Sequence, residues 1–199
     1  MPHAPLPPLP DDVAHVLVAT PPIRSVRHVP CRTLAPAAEP PRDVVVVTYC
    51  QPVPDHLATL AAEVEPPERV AVVHVGPGDH EGVHDATLAD LPFEVSIASV
   101  QASDSLTELG MSIEGRLQDF ADGPVALCFD SLTALVLSTD VEQADRFLGW
   151  LQSRVDAVGG IAHYHADPAA HDRPPRELFS GHFDAVVEVR EDGTLETGF

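Results

Sequence analysis

Hydrophobic positions along this chain follow two alternating rhythms. The runs HVLVAT (15–20), DVVVVTY (43–49), VAVVHV (70–75) and VALCF (125–129) are short, rich in β-branched residues and lack polar alternation. That is the pattern of parallel strands buried on both faces. EVSIAS (94–99) and IAHYH (161–165) add two further strands. Between them the period changes. In DSLTELGMSIEGRLQDFA, Leu106, Leu109, Ile113, Leu117 and Phe120 recur at spacings of three and four, and Ser105 with Glu108 makes a capping box. A second helix is predicted from about Val141 to Val158, with Ala144, Phe147, Leu148, Leu151 and Val155 inward, Asp140 as N-cap, and Gly159 and Gly160 ending it. After the loop ADPAAHDRPP come a helical turn at RELFSG and two strand-like segments, FDAVVEVR and TLETGF, joined by EDG, a hairpin signal. Strands alternating with helices, then a terminal hairpin, predict an α/β sandwich around a mainly parallel sheet.

Composition sets the bounds. With 199 residues, 44% of them hydrophobic, the chain can bury one sizeable core, so a single domain is expected over residues 11–199. MPHAPLPPLP (1–10) has five prolines and little to pack, and reads as a flexible arm. No apolar run approaches the about 20 residues a membrane span needs, and the start lacks the basic-then-apolar pattern of a signal peptide. A cytoplasmic location is expected. Net charge is −20, every cation is Arg, and the chain has neither Lys nor Asn. Such acidity predicts a halophilic cytosol, because at about 1 M salt the Debye length is about 3 Å and neighbouring carboxylates are screened. Solvent adaptation then accounts for the charge, which counts only mildly against a nucleic-acid partner. Cys31, Cys50 and Cys128 are odd in number and widely spaced, with no C-x-x-C pair, so no disulfide is assigned and Cys128 reads as a small core residue.

Four passages in order carry a family resemblance. HVLVATPP resembles a first strand entering a Walker A loop, VVVVTYCQPVPDHL a second strand with its acidic turn, CFDSLTAL a Walker B element, and GGIAHYH a sensor strand. Together they resemble KaiC-type ATPases, and the wording is similar to a haloarchaeal KaiC-related family of unknown function. The resemblance implies a RecA-like three-layer sandwich. It also implies association side by side, as a homo-oligomer or with a related RecA-like subunit, and a protein partner in regulation or signalling.

The chemistry that resemblance would bring is largely missing from the residues. A phosphate loop needs glycines to wrap the phosphates, a Lys to meet their charge and a hydroxyl for magnesium. ATPPIRSVRH (19–28) has no glycine and no lysine, and Pro21 and Pro22 remove amide donors. At the end of the second strand stand Tyr49, Cys50 and Gln51, with no carboxylate to position water. Asp130 and Ser131 remain as a Walker B-like remnant. One carboxylate cannot clamp phosphate, activate water and hold a metal together, so no catalytic residue is assigned and neither ATP nor magnesium is expected as a cofactor. Asp130 and Ser131 are read instead as bonding the backbone where the strand passes into the next segment.

Two further sets stand as alternatives. Arg24, Arg27 and Arg32, with His28, concentrate cations where the phosphate loop would lie, and arginine forks hold anions without a glycine loop. His163 and His165, two apart on a strand, share a face, and with Asp167 or His171 they could hold zinc, iron or manganese. Their spacing matches no metal signature, and strand-end histidines commonly bond a carbonyl or a carboxylate. In VGPGDHEG (75–82), Asp79 and Glu81 would face any phosphate, which makes it an acidic turn. No G-x-S-x-G elbow surrounds Ser131, so a covalent hydrolase is not expected.

Overall fold

Four consecutive valines at 44–47 cannot be divided between a wet and a dry face, so the strand that holds them must be covered on both sides. The computed structural model of the chain, which describes residues 9–10, 12–21, 42–49, 52–62, 66–76, 88, 90–101, 105–190 and 194–198, places them at the heart of an eight-stranded sheet. The strands are β1 (His15–Ala19), β2 (Asp43–Thr48), β3 (Arg69–Val75), β4 (Glu94–Val100), β5 (Val125–Asp130), β6 (Ile161–Ala166), β7 (Ala185–Val189) and β8 (Leu195–Gly198). Their order is β4-β3-β2-β5-β6-β1-β7-β8. All neighbours are parallel except the terminal β7–β8 pair, which is antiparallel. An α/β fold with a mostly parallel sheet and a C-terminal hairpin is therefore present, as the sequence predicts; the EDG turn itself lies outside the described residues.

Among the described residues the α-helices include α1 (Val53–Ala61), α2 (Leu106–Asp119), α3 (Leu132–Ser138), α4 (Val141–Ala157) and the short α5 (Pro175–Leu178). The sequence reading missed α1 and α3. Alternation along the strands sorts their partners. Val44, Val46, Val70, Val72 and Cys128 pack against Val53, Leu57 and Leu60 of α1. On the opposite face, Val45, Val47, Val73, Leu127, Phe129 and Tyr164 meet Leu109, Ile113 and Leu117 of α2 and Phe147, Leu148, Leu151 and Val155 of α4. Leu9, inside the predicted arm, is buried with Val13, Val16 and Val187; residues 1–8 lie outside the described residues.

Caps follow the sequence signals. The Ser105–Glu108 capping box is formed in both directions. The Asp140 carboxylate accepts from the Gln143 amide at 2.8 Å to start α4, which Gly159 closes at φ +63. Gly110 of α2 leaves no room for a Cβ, which would stand 2.9 Å from the Trp150 ring, so glycine here sets how closely α2 and α4 pack.

The amino edge of the sheet is tied by charge. Arg69 at the start of β3 forks onto Asp43 of β2, Nε to Oδ1 at 2.8 Å and a terminal nitrogen to Oδ2 at 2.6 Å, and reaches Asp122 at 2.7 Å. Its guanidinium also lies 4.7 Å from the Phe120 ring centroid. The hydrogen bond to Arg69 holds the Asp122 carboxyl below its usual range. Farther along, His15 of β1 bonds Asp156 of α4 at 2.9 Å, and its other ring nitrogen meets the Tyr164 hydroxyl at 3.4 Å. Burial, then the nearby Asp156 and Asp184, raise the Tyr164 pKa well above its ordinary value, keeping that hydroxyl protonated.

Asp43 is 1% exposed, and replacing it leaves Arg69 only the exposed Asp122. Since Arg69 is itself a third exposed, Asp43→Ala should cost about 2–3 kcal/mol, at or below the low end of the about 3–5 kcal/mol for breaking a fully buried pair. Thermal denaturation should record this as a fall of about 5–10 °C in Tm. The lowered Asp122 pKa adds a sign: its contribution is present above its unfolded value and is lost as pH falls through the folded one, so Asp122→Asn should cost stability at neutral pH and progressively less on acidification below about pH 4.

Candidate functional site

Two crossovers leave the middle of the sheet in opposite directions. From β2 the chain runs through α1 to β3; from β5 it runs through α3 and α4 to β6. These connections lie on opposite faces, so the chain parts above the carboxyl ends of β2 and β5, where open α/β sheets form their ligand crevice. Thr48 and Asp130 are register partners at that point, and the Tyr49 amide donates to the Asp130 carbonyl at 2.8 Å.

Asp130 ends β5 and is 3% exposed. Its side chain lies on the α1 side, in step with Cys128, where Oδ2 is 3.7 Å from Nε2 of His56. A buried carboxylate is costly without a partner, and α1 supplies one. Ser131 is the N-cap of α3, its Oγ accepting from the Ala134 amide at 3.2 Å. The Asp130–Ser131 peptide is cis.

Asp130, Ser131, His165 and Asp167 are brought together, with Thr20, Thr133 and Ala166, around a cavity of about 60 Å³. That is room for a few waters, at about 10–15 Å³ each, and far below the about 300–1,000 Å³ of a small-molecule pocket. Thr20, just past β1, donates its amide to the Ala166 carbonyl at 2.9 Å, while its hydroxyl is buried without a hydrogen-bond partner among the described residues. Thr133 Oγ1 accepts from the Asp167 amide at 2.9 Å and meets His171 Nε2 at 2.9 Å. Burial lowers the His171 pKa, the Asp167 charge opposing it. A neutral His171 can accept the Thr133 proton, which satisfies both groups.

The histidines weighed as an alternative metal set have other neighbours among the described residues. His163 and His165 share a face, in register with Cys128 and Asp130, but His165 Nε2 lies 3.5 Å from the Cys128 sulfur. Asp167 turns back to accept from the Ala169 amide, and His171 bonds Thr133. Among the described residues no group of three His, Cys, Asp or Glu could hold a metal. Arg24, Arg27, Arg32 and His28 lie outside the described residues, as do Cys50, Gln51 and most of the acidic turn after Gly76. Sequence reasoning missed Thr20, His56 and Thr133. His56 was hidden with its helix, whereas Thr20, the first polar residue after an apolar strand, carried a readable signal.

With the His171 pKa depressed in the fold, the neutral ring's contribution is intact above its unfolded value of about 6.5 and is lost as pH falls through the folded one. The Tm advantage of the chain over its His171→Gln variant should therefore narrow between about pH 7.5 and pH 5. A constant difference across that window would contradict it.

No helix among the described residues is long and apolar enough to cross a membrane. No curated protein matches the chain. Solved structures do, in 143 chains, so the fold is widely used and selects no chemistry by itself. One, from a structural study of a Pyrococcus horikoshii OT3 protein, is 18% identical with a TM-score of 0.56, over 92% of this chain and 85% of that one; at that identity the likeness is one of fold. A family model covers residues 13–189, from the approach to β1 to the end of β7, and the chain accordingly belongs to DUF7504, a family of unknown function.

Proposed function

We propose that the chain is a non-catalytic RecA/KaiC-like domain acting as a regulatory or protein-interaction module in a halophilic archaeon. The observation that carries this reading is the condition of Asp130. The carboxylate that a nucleotide hydrolase would turn toward magnesium is buried beside His56, and the cavity at its other side is about 60 Å³. A nucleoside triphosphate does not fit there. Nor does the approach from β1 offer a cradle, since residues 19–28 contain neither glycine nor lysine and Thr20 is tied to β6. Among the described residues that line the cavity, the Thr20 hydroxyl is left without a hydrogen-bond partner, and a water meets that need.

Two features support the RecA-like part of the reading. β6 lies between β1 and β5, so the strand ending at Thr20 and the strand ending at Asp130 are separated by one strand, as in the RecA-like arrangement. The helical layers on both faces also match a three-layer sandwich. The halophilic part rests on the charge of −20 with no Lys.

Nucleotide binding is the direct test. In molar KCl with magnesium, about 5 mM ATP, ADP or a cyclic nucleotide should change Tm by less than about 1 °C, because a ligand that does not bind the folded state cannot stabilise it. Phosphate release from ATP should be the same for the chain and for Asp130→Ala. A stabilisation abolished by replacing Arg24 and Arg27 would establish the anion-binding alternative instead, and hydrolysis abolished by Asp130→Ala would overturn the non-catalytic reading.

A further inference from the structure

Helices α2 and α4 leave a trough between them, on the face of the sheet opposite the Asp130 side chain. Its shape starts from Gly110. A Cβ at that position would stand 2.9 Å from the Trp150 ring, so the indole lies against the backbone of α2. Phe147 stands beside the indole, with the ring centroids 5.8 Å apart. With Leu106 and Met111 of α2, these rings line a trough of about 410 Å³, within the about 300–1,000 Å³ of small-molecule sites. Met111 is 67% exposed. A large apolar side chain held that open beside two aromatic rings is the kind of surface that a guest covers, and a thioether adapts readily to a ring placed against it.

The charges of α4 narrow the choice of guest. Arg146, Trp150 and Arg154 follow one another at intervals of four and so share one face of the helix. Arg154 is committed: its guanidinium lies 5.6 Å from the Trp150 ring centroid and 3.4 Å from the Glu114 carboxylate. Arg146 lines the trough and meets Glu142 at 3.0 Å, with both side chains more than half exposed. An exposed pair of this kind adds little stability and is screened by salt, so the Arg146 guanidinium can turn to another carboxylate. Its planar fork matches a carboxylate with two parallel hydrogen bonds. A doubly charged phosphate would meet the same fork, but also the neighbouring Glu142 and a chain of net charge −20, which favours a monoanion.

From this we propose that the α2–α4 trough binds an aromatic monocarboxylate, with its ring against Trp150, Phe147 and Met111 and its carboxylate on Arg146. The site takes no part in the Asp130 cavity, and the proposal stands independently of whether the domain is RecA-like or regulatory.

Trp150 is the chain's one tryptophan, so its fluorescence reports on the trough directly. The full chain in molar KCl is titrated with 3-phenylpropionate and 4-phenylbutyrate, with 3-phenylpropanol as the neutral counterpart and 3-phenylpropylamine as the cationic one. At least one carboxylate should give a saturable change in Trp150 emission, with an apparent Kd about five-fold or more below that of the alcohol, the scale of one charge-assisted contact. Arg146→Gln should bring the carboxylate and the alcohol to the same Kd, while Arg146→Lys, which keeps the charge, should retain part of the difference. Met111→Glu, at an exposed position where the core is untouched, should abolish the response to the carboxylates. No saturable change with either carboxylate, a preference for them that survives Arg146→Gln, or tighter binding of the alcohol or the amine would overturn the proposal. A chain that sediments as a dimer in the same buffer but as a monomer when Met111→Glu is introduced would also overturn it, by giving the trough to a second copy.

Discussion

A parallel sheet permits only long crossovers between its strands, and those crossovers keep one hand. Strands stepping one way across the sheet are therefore covered on one face, and strands stepping the other way on the opposite face. In this chain the step reverses after β4. The path from β2 to β3 lays α1 on one side, and everything from α2 onward is laid on the other. The doubly buried valines of β2 and the crevice above β2 and β5 follow from that reversal.

The same geometry sets a carboxylate at the end of a central strand and buries it there. Asp130 is at the crevice because β5 is the strand at which the chain turns back, and its side chain is buried on the face that α1 covers. Once buried, it requires compensation. His56 from α1 supplies it from one side, and the small polar cavity with Thr20 and Thr133 provides room for water on the other.

The buried strands and the two long helices were legible because their signals are local: unbroken β-branched runs, spacings of three and four, a capping box and an Asp N-cap. α1 was not, because Pro52 and Pro54 made its start read as a turn, although proline is well tolerated in a helix's first turn and Val53, Leu57 and Leu60 keep helical spacing. α3 was hidden because LTALVLS is apolar nearly throughout and too short to show a period; its Ser131 cap was the available clue. Asp130, Ser131, His165 and Asp167 were singled out from sequence and do meet at one cavity. Of their neighbours, Thr133 follows three residues after Asp130, whereas Thr20 and His56 come from distant parts of the chain and are brought there by the register of β1 and the packing of α1.

The account holds that Asp130 is a structural carboxylate held by His56. A double-mutant cycle on unfolding free energy in molar KCl, with His56→Ala, Asp130→Ala and the double variant, tests this most directly. The predicted result is a favourable coupling of about 1 kcal/mol or more, as expected for side chains in contact. Additive effects within about 0.3 kcal/mol, together with an Asp130→Ala variant as stable as the parent, would contradict it.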